Sequence, residues 1–292
     1  LERTWLDFVH AGARLSPDAR RRIGEIEERL AAISTQFRQN LLGDEAAWLL
    51  VLRDEADLAG LPPDVRTAAR EAARERGLAD AWAITLSRSL VMPFLAHSDR
   101  RDLRERAFDA WIRRGEHDGP HDNRPLVREL VALRGELARL HGYATFAHFA
   151  LTDRMAGTPA AVADLLHRVW APACAKAAAE RDVLAAAARE LGHGVDIAPW
   201  DWRYFAEKVR ASRYRLDDAE VKPYFELDRM EAAAFDCARR LFGVEFVRRA
   251  DLAGWHPDVR VYEVRARDGA TVGLFLADHF ARPGKRSGAW MS

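Results

Sequence analysis

Apolar positions recur at helical spacing along most of the chain. After Ser16-Pro17-Asp18, a helix cap followed by proline at the first helical position, Ile23, Ile26, Leu30, Ile33 and Phe37 step by three and four residues. That spacing predicts one long helix burying a single stripe. Pro62-Pro63-Asp64 predicts a second helix closing near Gly77. A third covers Asp99 to Arg114, with Leu103, Phe108, Ala110 and Trp111 available to bury. Beyond a polar loop from Gly115 to Pro125, Leu126, Leu130, Leu133, Leu137 and Leu140 repeat the helical stride until Gly142. Thr158-Pro159 opens a long alanine-rich helix running towards Gly192, and further helices are predicted over Trp202–Ala211 and Leu227–Phe242.

The pattern then changes. Val244–Val247, Val259–Val264 and Thr271–Leu276 are β-branched and aromatic runs, and Asp268-Gly269 between the last two is a hairpin signal. Gly288–Met291 is a candidate further strand, and Trp48–Leu52 and Trp82–Leu86 are short candidate strands upstream. The expected fold is mainly α, a multi-helical lobe with a small antiparallel β-sheet near the C-terminal end. Its expected division is a helical region over 1–242 and a sheet region over 243–292.

Composition narrows the function classes. The 292 residues are 49% hydrophobic and carry 45 basic against 45 acidic residues, which excludes a disordered chain. Arginine is abundant, but acids alternate with it, as in Arg100-Arg101-Asp102-Leu103-Arg104-Glu105-Arg106. That is a solvated helix face, so no nucleic-acid partner is expected. No apolar run approaches the roughly 20 residues that span a bilayer, and no secretory leader pattern opens the chain. No membrane is therefore expected, and the cytoplasm is the expected compartment. Cys174 and Cys237 are too far apart for metal-ligand spacing and are expected as two buried, reduced side chains. The chain opens on Leu1 and closes on the strand-like Ala289-Trp290-Met291-Ser292, so a piece of a longer polypeptide is expected.

Local motifs that could carry chemistry are few. His117 and His121 are four apart, but Asp118-Gly119-Pro120 between them breaks the helix that would align two metal ligands. His141 and His148 straddle Gly142 and are expected at a helix end or the surface. Asp278-His279 closes a predicted strand. Trp200-Asp201-Trp202 is expected as a helix start with core packing. No His-Glu pair occurs anywhere, so the chain holds no His-Glu-x-x-His zinc helix, and no nucleophile elbow or phosphate loop stands out.

Longer ordered stretches say more. Pro199-Trp200-Asp201-Trp202-Arg203-Tyr204-Phe205-Ala206-Glu207-Lys208 and Val221-Lys222-Pro223-Tyr224-Phe225-Glu226-Leu227 are two of them. His256-Pro257-Asp258-Val259-Arg260, Gly273-Leu274-Phe275-Leu276-Ala277-Asp278 and Lys285-Arg286-Ser287-Gly288-Ala289-Trp290-Met291 follow in order. Upstream, Leu58-Ala59-Gly60-Leu61, Asp122-Asn123-Arg124 and Asp153-Arg154-Met155-Ala156 fit the same pattern. Together they resemble the zinc metallopeptidases of the thimet oligopeptidase and oligopeptidase A family, most of all its bacterial peptidyl-dipeptidase (Dcp) branch.

The resemblance implies part of a zincin-like peptidase fold, built as largely helical lobes around a channel that admits short unfolded peptides. It implies a zinc ion in the parent enzyme, held by a His-Glu-x-x-His helix that would follow the Gly-Ala-Trp segment, with the motif glutamate as general base. This chain stops short of that motif, so neither a metal ligand nor a catalytic residue is assigned to it, and it is expected to be inactive and zinc-free alone. Gly288, Ala289 and Trp290 are the expected substrate-binding residues, an edge strand whose backbone pairs with an extended peptide. The fragment is also expected to self-associate through exposed apolar surface. A non-catalytic helical peptide- or protein-binding module is the alternative.

Overall fold

A computed structural model describes residues 1–194, 196–214, 218–282 and 285. The chain packs as two compact units, Leu1–Val209 and Arg210–Ser292. The fold is mainly helical with a small antiparallel sheet towards the C-terminal end, as the sequence pattern leads one to expect.

In the first unit, α1 (Glu2–His10) leads into α2 (Pro17–Ala47), where the Ser16 hydroxyl accepts the Ala19 amide at 3.2 Å and starts the helix. Ile23 and Ile26 of the α2 stripe pack with Leu137 of α6 (Arg124–Leu140) and with Phe146 and Phe149 of α7 (Phe146–Ala150). Two exposed ion pairs, Arg22–Glu136 and Arg29–Glu129, flank that contact.

A second core forms around two short antiparallel strands, β1 (Leu50–Leu52) and β2 (Trp82–Ile84). Leu50, Leu52 and Ile84 are closed over by α3 (Pro63–Arg74), α4 (Arg88–His97) and α5 (Arg101–Ile112). Phe94 of α4 is fully buried there. α4 carries Pro93 inside it, which removes the amide that would bond the Ser89 carbonyl.

α8 (Pro159–Glu190) is opened by the Thr158 hydroxyl, which accepts the Ala161 amide at 3.2 Å, and holds Pro172 near its middle. Only its last turns are covered: Leu184 and Ala188 pack with Tyr204 and Phe205 of α9 (Trp202–Tyr214). Residues 163–183 are exposed throughout.

The second unit begins within α9 and continues through α10 (Asp218–Val221) to α11 (Leu227–Phe242). Gly243 ends α11 with φ +70°, a left-handed geometry suited to glycine. A three-stranded antiparallel sheet follows, β3 (Glu245–Arg248), β4 (Arg260–Arg265) and β5 (Thr271–Ala277), in the order β3-β4-β5. The predicted hairpin turn carries Gly269 at φ +84°. The expected boundary at 242/243 separates helix from strand in sequence, whereas the compact units divide at Val209/Arg210 and group α11 with the sheet.

One expectation is corrected. Cys174 and Cys237 are exposed, not buried. Cys174 falls in the uncovered stretch of α8. Cys237 is two residues beyond Phe235, which faces the sheet, and a helix turns about 100° per residue, so Cys237 points away from it.

Candidate functional site

The sheet of the second unit is where the sequence places its substrate-binding residues. Gly288, Ala289 and Trp290 lie outside the described residues, as does the candidate strand Gly288–Met291. The described sheet has two chemically different faces. On one, Phe235 of α11 stacks on Phe246 at 4.1 Å and meets Tyr262 and Phe275 edge-on. Side chains alternate along a strand, so Val272, Leu274 and Leu276 of β5 occupy the opposite face, where they are exposed. Among the described residues, no strand pairs with the second edge of β5.

Three carboxylates organise this unit. Glu231, one helical turn before Phe235, accepts from the Tyr262 hydroxyl and lies 3.4 Å from Arg260 Nη1 and 3.1 Å from His279 Nε2. Burial pushes its pKa up, but the hydrogen bonds from Tyr262 and His279 and the Arg260 charge outweigh that and hold it below the ordinary glutamate value. Glu263, on the other face, receives Arg265, Thr271 and Arg249, which bring it down to about 2. Asp278, just past β5, takes two bonds from Arg282 at 2.6 and 2.8 Å and one from Trp255 Nε1 at 3.2 Å, with Lys285 Nζ 3.1 Å away.

Sequence reasoning named Asp278 and His279 only as neighbours. The structure sends them to different partners, Asp278 to Arg282 and His279 to Glu231. Glu231 was not foreseen. Its partners lie 29 to 48 positions away, and no local spacing announces them.

The first unit holds the other candidates. His117 Nδ1 sits 3.0 Å from Asp44 of α2, whose carboxylate also accepts the Gly115 amide at 2.8 Å. His121 packs its ring on α2 at Gly43, where a side chain would collide with it. The pair thus clasps the loop after α5 onto α2. His141 stacks on Phe149 with ring centres 4.8 Å apart, and burial lowers its pKa. His148 Nδ1 lies 2.8 Å from the Thr145 hydroxyl at the start of α7.

Asp201 precedes α9 as expected and is fully buried. It accepts from Arg104 at 2.8 Å, from Arg101 at 2.9 Å and from the Ala198 amide at 3.1 Å. Trp200 beside it lies under the Arg101 guanidinium and near Phe108. With Asp201 and Arg104 both closed to solvent, this is a packing node, as expected for the start of α9.

Among the described residues, no group of three His, Cys, Asp or Glu side chains is placed to hold a metal ion. No described helix is long and apolar enough to cross a membrane.

Comparison with known proteins decides the family. Residues 94–292 match the family description "Peptidase family M3". The chain belongs to peptidase family M3. Within M3, it is 38% identical over 285 residues to the dipeptidyl carboxypeptidase of Salmonella typhimurium, covering 97% of this chain and 42% of that protein. It is 32% identical over 295 residues to oligopeptidase A of Haemophilus influenzae, covering 100% of this chain and 43% of the relative. Saccharolysin of Saccharomyces cerevisiae is 24% identical over 299 residues. The M3 chain described here therefore spans well under half the length of the curated relatives it matches.

Proposed function

We propose that the chain is part of a zinc-dependent oligopeptidase that releases dipeptides from the C-terminal end of short unfolded peptides. The observation that carries this reading is its 38% identity to a dipeptidyl carboxypeptidase across 97% of its length, against 32% to an oligopeptidase A. Cytoplasmic location belongs to the same reading.

The residues present do not fit the zinc ion. The 292 residues contain no His-Glu pair, and no described cluster surrounds a cation. On this reading the metal and the general base belong to the part of the relatives that this chain does not span, and the 292-residue chain is inactive alone. Its own contribution is the sheet. Backbone amides and carbonyls of an edge strand offer an extended peptide the same pairing that another strand would make. Gly288, Ala289 and Trp290 are the proposed contact, with the small side chains at 288 and 289 admitting a close approach. The edge of β5 that no described strand pairs with, and the exposed Val272, Leu274 and Leu276, support a surface there that accepts more chain.

The test has two steps. Sequencing the coding DNA past the Ser292 codon should reveal an open frame encoding His-Glu-x-x-His within about a hundred codons. The full gene product should then shorten an oligopeptide by two residues at a time from its carboxyl end. A chelator should stop the reaction and a C-terminal amide should block it. Internal cleavage indifferent to the amide would assign oligopeptidase A activity instead. A stop codon directly after Ser292, with peptide bound but never cleaved, would leave the binding-module alternative.

A further inference from the structure

α1 lies lightly on the first unit. Of its residues only Leu6, Val9 and His10 are half-buried, and none joins the core of Ile23, Ile26 and Leu137. Trp5 and Phe8 are turned to solvent. Its last residue, His10, makes an aromatic contact across 139 positions of sequence. His10 and His141, which follows α6, both pack on Phe149 of α7, each with ring centres 4.8 Å from it. The two imidazoles stand edge to face, with centres 6.3 Å apart.

The hydrogen bonds fix the protonation state of this stack. The Thr152 hydroxyl donates to the Phe149 carbonyl at 2.8 Å, so its oxygen is left to accept, and His10 Nε2 at 3.1 Å is the donor. Neutral His10 therefore carries its proton on Nε2 and keeps Nδ1 as the base. His141 Nε2 is sealed from solvent and has no hydrogen-bond partner among the described residues. A second proton on His141 would bury a cation there without a partner. The groups that act on that ring are His10 from α1, which opposes a positive charge, and Glu27 from α2, which favours one; α7 contributes the neutral Phe149. Asp7, three positions before His10, and Arg139, two before His141, are exposed. One imidazolium is tolerated beside an aromatic ring, but two at this separation repel.

We propose that the His10–Phe149–His141 stack is a pH-sensitive clasp: with both imidazoles neutral it docks α1 against the turn between α6 and α7, and their protonation releases α1. The clasp lies wholly in the first unit and does not depend on the peptidase reading. Its direction follows from His141, whose pKa burial and His10 hold below the ordinary histidine value. Docking favours the neutral ring, so it is complete above the released value of about 6.5 and is lost as pH falls below it. That window lies above the range in which carboxylates titrate.

Amide hydrogen exchange of the 292-residue chain, corrected for the intrinsic effect of pH, tests the clasp. Between pH 8 and pH 5.5 protection of the α1 amides should fall several-fold, and at most about tenfold, the excess of charged over neutral histidine in the released state. Amides around Leu137 should hold their protection over the same range. His141→Phe keeps the stacked ring and removes its charge, so α1 should stay protected at pH 5.5. Protection of α1 that is independent of pH in the wild type overturns the clasp, and so does an equal fall in His141→Phe. Circular dichroism identifies a variant that fails to fold. His10→Phe, outside the core at the end of α1, then takes its place. It should show a smaller fall than the wild type, and an equal one overturns the clasp.

Discussion

Arg104 and Asp201 meet at 2.8 Å across 97 positions of sequence, and both side chains are sealed from solvent. Two elements that are strangers in sequence, α5 and the start of α9, are joined at that point. Removing one partner of a buried pair leaves the other charge without compensation, which is far more costly than the pair itself is stabilising. Asp201→Asn should therefore destabilise the first unit by about 3 kcal/mol in urea unfolding at pH 7.

The same carboxylate predicts a pH dependence. Burial raises the Asp201 pKa, but hydrogen bonds from Arg101, Arg104 and the Ala198 amide outweigh it and leave the folded value below the ordinary one. A depressed folded pKa gives stability that is fully present above the unfolded value of about 4 and is lost as pH falls through the folded one. Unfolding free energy measured from pH 6 down to pH 2 should fall less steeply in Asp201→Asn than in the wild type.

Two phenylalanines should behave in opposite ways. Phe94 is completely buried, whereas Phe242 at the end of α11 is 77% exposed. Phe94→Ala should cost about 3–5 kcal/mol through lost burial and the cavity left behind. Phe242→Ala should stay within about 0.5 kcal/mol in the 292-residue chain. Denaturant midpoints at equal slope read both.

Capping at the start of α2 should be measurable alone. The Ser16 hydroxyl takes the Ala19 amide, which otherwise has no partner in the first turn. Ser16→Ala should lower stability by about 1 kcal/mol and Ser16→Asp should preserve it.

The uncovered face of α8 predicts self-association. Leu165, Leu166, Val169 and Trp170 share one side of the helix and are 54%, 60%, 56% and 70% exposed. Sedimentation of the 292-residue chain should show mass rising with concentration, and Leu166→Glu with Trp170→Glu should restore the monomer. A wild-type chain that stays monomeric at high concentration would remove this expectation.

Much of the helical framework was legible because each long helix carries both a stripe and a stop. Ser16-Pro17 and Thr158-Pro159 mark starts, Gly142 and Gly243 mark ends, and the apolar stride between fixes the buried face. α4 was not legible. Its run Leu90-Val91-Met92-Pro93-Phe94-Leu95 is apolar with no polar face, and proline argues against a helix. Burial among α3, α5 and the β1-β2 pair overrides that preference. The α9 start was legible, but its two arginine partners were not, since nothing local ties position 104 to position 201. The organising carboxylates of the second unit escaped for the same reason. Glu231 has an ordinary helical neighbourhood and acquires its environment only when β4 and the exit from β5 fold against α11.

Pro172 gives α8 two unequal lives. It interrupts the hydrogen-bond ladder midway along the 32-residue helix, and every side chain packed as core lies beyond it, at Leu184 and Ala188. Before Pro172 the helix is held mainly by its own ladder, the Thr158 cap and the exposed Arg168–Asp164 ion pair one turn apart. In deuterated water the amides around Leu166 should exchange by local opening, while those around Leu184 wait for the whole unit to unfold. One continuous rod of backbone is thus two clocks, one running at the pace of fraying and one at the pace of the core.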